Sequence, residues 1–352
     1  MISHLRLSAA AVLLLAAAAC GSGGSGTSGG SGDAQAVPAD APPALRTLVE
    51  AARKEGELVW YSVPAENIAK AVSDDFAKKY GIKVKFIRLT SSDLAQRFAA
   101  EAETGKPAAD LFVGSYTPFV PQALAKGWTV KLADAGIPEY PNGYPEKYLL
   151  PDDGTAVVQV QPSGIAVNSQ QAGGAIKDWQ DILDPKWKGK VILVDPRTSA
   201  AYTPFWNLIV KEYGEEFLTK LKAQNPIVAP GSAPATQQLA AGEGAIVMPG
   251  VQSITDDLKG KGAPVEYVQP EASTGPEIVP GLAAKAAHPN AARLFVHYLM
   301  SEEGNAKLNA MPGSGSPLDP SSLPARYSFN RDLTGTTAEQ IHALLGLGEA
   351  GT

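Results

Sequence analysis

Within Lys188 to Val210, which reads KGKVILVDPRTSAAYTPFWNLIV, the four apolar residues Val191, Ile192, Leu193 and Val194 stop at Asp195-Pro196, and a helical pattern begins shortly after. An unbroken apolar run of this length suits a strand covered on both faces, the environment of a mostly parallel sheet with helices on either side. The fold class is therefore α/β. Trp206, Val210, Tyr213 and Phe217 recur at helical spacing. Thr203 is the expected N-cap and Pro204 the first helical residue, where a missing N–H costs nothing. Arg197 to Ala201 then form the loop, because a helix starting at Ser199 would carry Pro204 in its second turn. Peptide N–H groups near Ser199 to Thr203, the neighbouring hydroxyls and the Arg197 guanidinium would converge at a helix N-terminus, an arrangement suited to an anion. An ordinary capped helix beside a solvated arginine is the competing reading.

The same strand–loop–helix unit recurs upstream. Gly56 to Ser62, Val84 to Ile87 and Asp110 to Val113 read as strands, each followed by an amphipathic helix: Ile68 to Tyr80, Leu94 to Glu103 and Pro118 to Lys126. Ser62, Ser91, Ser115 and Tyr116 thus fall at the carboxyl ends of successive strands, the edge at which open α/β sheets bind ligands. Each serine alone is an ordinary helix cap. Ala156 to Asn168 reads as a long strand bent at Pro162-Ser163-Gly164 and crossing between lobes. A further unit runs from the strand Gly244–Met248 through a loop containing Gln252 to the helix Ile254–Lys259, then the strand Val265–Val268. Gly275 to Leu282 returns the chain to the first lobe, Pro289 to Met300 is helical, and a Pro/Gly/Ser-rich stretch precedes a short helix at Ala338–Leu345.

A chain of 352 residues can bury a large core and is expected to form two lobes. Thirty basic residues stand against 36 acidic ones without a block of like charge, so there is no electrostatic footprint for nucleic acid. At the amino end, His4 and Arg6 precede an apolar run from Leu7 to Ala19 that is too short for the ~20 residues a bilayer needs. This reads as an export signal over 1–20. Cys20, the single cysteine, leaves no intramolecular disulfide. Residues 21–43 form a Gly/Ser/Pro tether that cannot pack.

Several stretches carry a resemblance to a known family. Residues 17–20 resemble a bacterial lipobox, which implies cleavage before Cys20 and acylation of its thiol, with the protein on the outer face of the cytoplasmic membrane or in the periplasm. The entry strand Gly56–Ser62, Asp75 to Val84, Ala109-Asp110-Leu111-Phe112, Ser163 to Asn168, Asp195 to Ser199, Gly242 to Ile246 and His288 to Gly304, taken in order, resemble solute-binding proteins of bacterial ABC importers. The branch is the type 2 periplasmic-binding fold that includes ferric-iron, thiamine, polyamine, phosphonate and sugar-phosphate binders. The resemblance implies two lobes, each a mostly parallel sheet flanked by helices, joined by crossing strands and closing on a ligand at a hinge. Lobe 1 would span 44–160 plus 270–325 and lobe 2 161–269, with a C-terminal tail over 326–352. It also implies a small-molecule ligand and a membrane permease with its ATPase; a monomer is expected, with no cofactor.

In the ferric branch a pair of adjacent tyrosines follows the strand matching Gly244–Met248. Here that loop reads Pro249-Gly250-Val251-Gln252, which argues against tyrosine-pair iron binding and leaves a single tyrosine with a bound anion as the iron alternative. The expected ligand is a phosphate ester, phosphonate or carboxylate. Arg197, Thr198 and Ser199 would hold its charge and Ser62, Ser91, Ser115 and Tyr116 would meet it from the other lobe, with Tyr202 and Gln252 beside them. No residues form a metal-spaced histidine pair or H-E-x-x-H, so no enzyme is expected; a lipid-anchored hydrolase with an Asp/Glu pair is the surviving catalytic alternative, and a sensory subunit the third.

Overall fold

The computed structural model describes residues 41–141, 143–152 and 154–348. The export signal, Cys20 and most of the tether lie outside the described residues.

Lobe 1 opens with α1 (Pro43–Glu55), β1 (Glu57–Ser62), α2 (Glu66–Tyr80), β2 (Lys83–Arg88), α3 (Ser91–Glu103), β3 (Leu111–Ser115), α4 (Phe119–Ala125) and β4 (Thr129–Val130). The short β5 (Leu149–Leu150) and β6 (Thr155–Ala156) pair with each other, and β7 (Gln159–Val160) begins the first crossing. Lobe 2 follows as β8 (Gly164–Asn168), α5 (Ser169–Ala172), β9 (Val191–Val194), α6 (Thr203–Tyr213), α7 (Glu215–Ala223), β10 (Ile227–Ala229), α8 (Ser232–Ala240), β11 (Ile246–Gly250), α9 (Gln252–Gly260) and β12 (Val265–Val268). The chain returns through β13 (Ala272–Ser273) and β14 (Glu277–Ala283) to α10 (Pro289–Leu299) and α11 (Glu302–Leu308), then reaches β15 (Arg326–Tyr327) and α12 (Ala338–Leu345).

Each lobe is built on one sheet. In lobe 1 the order is β2-β1-β3-β14-β4, with β1, β2 and β3 parallel and β14 antiparallel to β3. In lobe 2 it is β10-β9-β11-β8-β12, parallel across the first three and antiparallel at β8 and β12. The burial of β9 explains its unbroken apolar sequence. Val191 and Leu193 join one core cluster with Trp206 and Phe217, while Ile192 and Val194 join another with Leu239 and Val265. Successive side chains of a strand face opposite ways, so a strand sandwiched between two helical layers requires an apolar residue at every position.

Local chemistry departs from expectation in two places near β9. The loop after it is two 3-10 turns, 196–198 and 200–202, with Asp195 and Ser199 accepting from the amides of Arg197 and Ala201, and Thr203 is the first residue of α6 rather than its cap. The periodic run through Phe217 is also two helices. Gly214, at φ +76°, ends α6, a left-handed conformation that glycine adopts without a Cβ clash, and Phe217 reaches the same core from α7.

The lobes are joined at residues 160–164 and 268–277. These crossing segments touch backbone to backbone, since a Cβ on Gly275 would sit 2.0 Å from the Gln161 carbonyl oxygen. A third segment crosses after α11: Val160 and Gly315 exchange backbone hydrogen bonds on the lobe 1 side, β15 pairs with β13 at the hinge, and Ile341 and Leu345 of α12 are buried in the core of lobe 2. At the hinge, the Glu277 carboxylate accepts from the Asn330 N–H at 2.7 Å, and burial pushes its pKa up to about 7.

Candidate functional site

A cleft of about 930 Å³, counting its opening to solvent, lies between the lobes. Its walls come from strand ends and helix starts. Lobe 1 presents Ser91, the first residue of α3, and Ser115, the last of β3; Ser91 Oγ donates to Ser115 Oγ at 2.9 Å. Lobe 2 presents Ser199 and Tyr202 ahead of α6, Ser232 at the start of α8, and Gln252 and Ser253 at the start of α9. Tyr202 and Ser232 face each other through their hydroxyl oxygens at 3.4 Å. The hinge supplies the floor with Gln161, Ser163 and Gly275, and Val63, Phe205 and Met311 add apolar surface.

Two features of these walls matter for charge. No Asp, Glu, Lys, Arg or His lines the cleft among the described residues. Four helices of nine or more residues begin at it, and α8 and α9 start after Gly231 and Val251 without a side-chain cap, so amides of their first turns are left without a capping acceptor. Helix N-termini carry partial positive charge and outward-pointing N–H groups. Such helix starts favour an anion, and the serine hydroxyls add donors that rotate to suit the ligand.

The residues expected at the site divide between the cleft and its surroundings. Ser91, Ser115, Ser199, Tyr202 and Gln252 line it together. Ser62 is fully buried, its hydroxyl donating to the Pro64 carbonyl at 3.2 Å. Tyr116 is half-buried against the lobe 1 core, with its backbone N–H donating to the Glu277 carbonyl. Arg197 is turned to its own loop: Nη2 meets Asp195 Oδ2 at 2.7 Å, Nε also donates to that carboxylate, and Nη1 donates to the Gly348 carbonyl at 3.0 Å. This guanidinium holds the Asp195 carboxyl below its ordinary pKa. Thr198 Oγ1 is likewise used internally, donating to the Asp195 carbonyl at 2.8 Å.

Gln161, Ser163, Ser232 and Ser253 line the cleft and were not among the expected residues. Ser232 had a signal, because Gly231-Ser232-Ala233-Pro234 has the small-polar start and early proline of a helix N-terminus. Gln161 and Ser163 had only that of a bend. Tyr202 is the one phenol at the cleft among the described residues, and no group of His, Cys, Asp and Glu there is arranged to hold a metal. No described helix is long and apolar enough to cross a membrane.

Comparison with known proteins gives concordant results. A family profile described as bacterial extracellular solute-binding protein matches residues 58–311. A protein of Haemophilus influenzae described as uncharacterized is 30% identical over 268 residues, covering 72% of this chain and 75% of that protein. Among solved structures, the periplasmic binding protein P5PA is 28% identical with a TM-score of 0.54, covering 71% of this chain and 82% of its own. The periplasmic binding protein AfuA from Actinobacillus pleuropneumoniae, solved with fructose-6-phosphate bound, is 22% identical with a TM-score of 0.59, covering 83% and 97%.

Proposed function

The chain belongs to the bacterial extracellular solute-binding proteins that serve ABC importers, and we propose that it captures a small organic anion, a phosphate ester, phosphonate or carboxylate, and delivers it to a permease. The observation that carries the reading is the cleft itself. Four helix starts and a ring of hydroxyls surround a space that no charged side chain lines among the described residues. An anionic head would accept from the first-turn amides of α8 and α9 and from Ser199 and Ser232, with Ser91 and Ser115 meeting it from lobe 1. A cationic solute would find partial positive charge and no carboxylate. The side chains of Val63, Phe205 and Met311 leave room for an apolar portion, so the ligand is an organic anion rather than a bare inorganic one.

Binding and release by hinge closure is the role these groups support. Exported protein held by an acyl chain on Cys20, acting as a monomer beside the membrane, completes the reading. A single acyl chain gives only reversible membrane binding, so lipid modification would include more than one chain. Native mass spectrometry of protein purified without refolding identifies a retained solute. Thermal shift with glycerol 3-phosphate, a phosphonate and a carboxylate against putrescine and a neutral sugar tests the class: a saturating ligand at about a hundredfold its Kd adds about 2.7 kcal/mol. Stabilisation by putrescine, with none by the anions, overturns it.

A further inference from the structure

Two glutamines pass a fixed orientation from the interior of lobe 1 to the floor of the cleft. Gln159 lies in β7 and Gln161 just after it, the spacing that puts both side chains on one face of an extended chain. Gln159 is fully buried, and its Nε2 donates to the Leu308 carbonyl at 2.8 Å and to Ser314 Oγ at 2.9 Å. A backbone carbonyl can only accept, so this amide cannot be turned round. Ser314 agrees with that orientation, because its own proton goes to Asn309 Oδ1 at 2.8 Å and leaves Oγ to accept. Gln159 Oε1 therefore faces Gln161, whose Nε2 donates to it at 3.1 Å. The Gln161 backbone is held as well, its N–H donating to the Pro276 carbonyl at 2.9 Å. Gln161 lines the cleft with its Nε2 turned to Gln159, and its Oε1 accepts no hydrogen bond among the described residues. That oxygen can only accept. A solute that displaces water from it without offering a donor leaves it unpaired, which costs more than the hydrogen bond would have contributed. The anionic head, itself an acceptor, is unsuited to this position, so the uncharged end of the solute meets the floor.

We infer that Gln161 selects solutes carrying a hydroxyl or N–H group on their uncharged portion, which donates to Gln161 Oε1. Gln159 touches no solute; it is the positioning residue that keeps the oxygen of Gln161, rather than its nitrogen, on offer. Resting on the anion reading above, this narrows the ligand from any organic anion to one with a hydrogen-bond donor away from its charge. Isothermal titration of matched pairs tests it: glycerol 3-phosphate against propyl phosphate, ω-hydroxybutyrate against butyrate, and ω-aminopropylphosphonate against propylphosphonate. The donor-bearing member of at least one pair binds roughly five- to tenfold tighter, the ratio set by one net hydrogen bond, and the pair that shows it separates hydroxyl from N–H. Gln161→Ala brings that ratio to about one by weakening the donor-bearing member alone. Gln159→Met, similar in volume but without an amide, releases Gln161 to turn and lowers the ratio too, while the plain member keeps its Kd, which a general loss of structure would not allow. Equal affinities within every pair that binds overturn the inference and leave the anion reading standing, and a ratio unchanged in Gln161→Ala or in a folded Gln159→Met overturns it as well. Binding by no member of any pair removes the anion reading and this inference with it.

Discussion

Glu277→Gln isolates the electrostatics of the hinge. The Glu277 residue is 1% exposed, and no Lys or Arg stands within ion-pair distance of its carboxylate among the described residues. It instead accepts from the Asn330 amide at 2.7 Å and, at 3.5 Å, from the Tyr327 hydroxyl. Burial raises its pKa to about 7; the Asn330 amide, Arg331 and Tyr327 pull the other way, and Asp332 adds to the rise. The unfolded chain loses this proton near the ordinary 4.5. Between those two values the native state holds a proton that the unfolded state has released, so stability falls as pH rises and levels off above the folded pKa. At about 1.4 kcal/mol per pK unit, the full loss is on the order of 3 kcal/mol. Glutamine cannot titrate, so its packing cost is the same at every pH. Urea denaturation of both proteins from about pH 4 to about pH 8 should show the variant gaining on the wild type by roughly 2–3 kcal/mol across that window. Parallel stability curves would show that the carboxyl is already ionised in the native state and would refute the reasoning.

Three further outcomes follow from the cleft. Arg197→Ala should leave the Kd for glycerol 3-phosphate unchanged by isothermal titration while lowering Tm, because the guanidinium serves Asp195 and the Gly348 carbonyl; a large loss of affinity would place Arg197 on the ligand after all. Ser115→Ala should weaken the anion by about 1.5–3 kcal/mol, the worth of a hydrogen bond to a charged group, whereas Ser62→Ala, which alters a buried internal bond, should leave affinity intact. With no formal cation lining the cleft among the described residues, affinity should change little between low and physiological salt, and a steep decline would reveal a charged partner.

The fold was legible where sequence period and burial coincide. The run of β9 and the alternation of strand and helix through residues 56–126 announced the α/β class because each strand is buried on one or both faces and each helix keeps an apolar stripe. Boundaries failed where a single residue decides: Gly214 divides α6 from α7 through its backbone angle, and β10, Ile227–Ala229, is too short to show a period. At the site, serines at strand ends were informative because the sheet edge fixes their position, and Ser91 and Ser115 do meet across it. Arg197 was misleading for a physical reason. A guanidinium next to a free anion site and one two residues from an aspartate look alike as text, but a folded loop lets the second satisfy its neighbour first. Ser62 shows the same competition, its hydroxyl spent on the backbone two residues on. Gln161 and Ser163 became part of the floor only because the two crossing segments lie against each other, a contact more than a hundred residues long in sequence.

The docking of α12 determines the order in which the molecule can be completed. Lobe 1 needs β14 inserted beside β3, and lobe 2 needs Ile341 and Leu345 from near the end of the chain. During synthesis, therefore, neither half has all of its interior before most of the polypeptide is available, and long-range pairings of this kind fold slowly. A chain built this way stays incomplete until late, and α12 is the element that closes the interior of lobe 2.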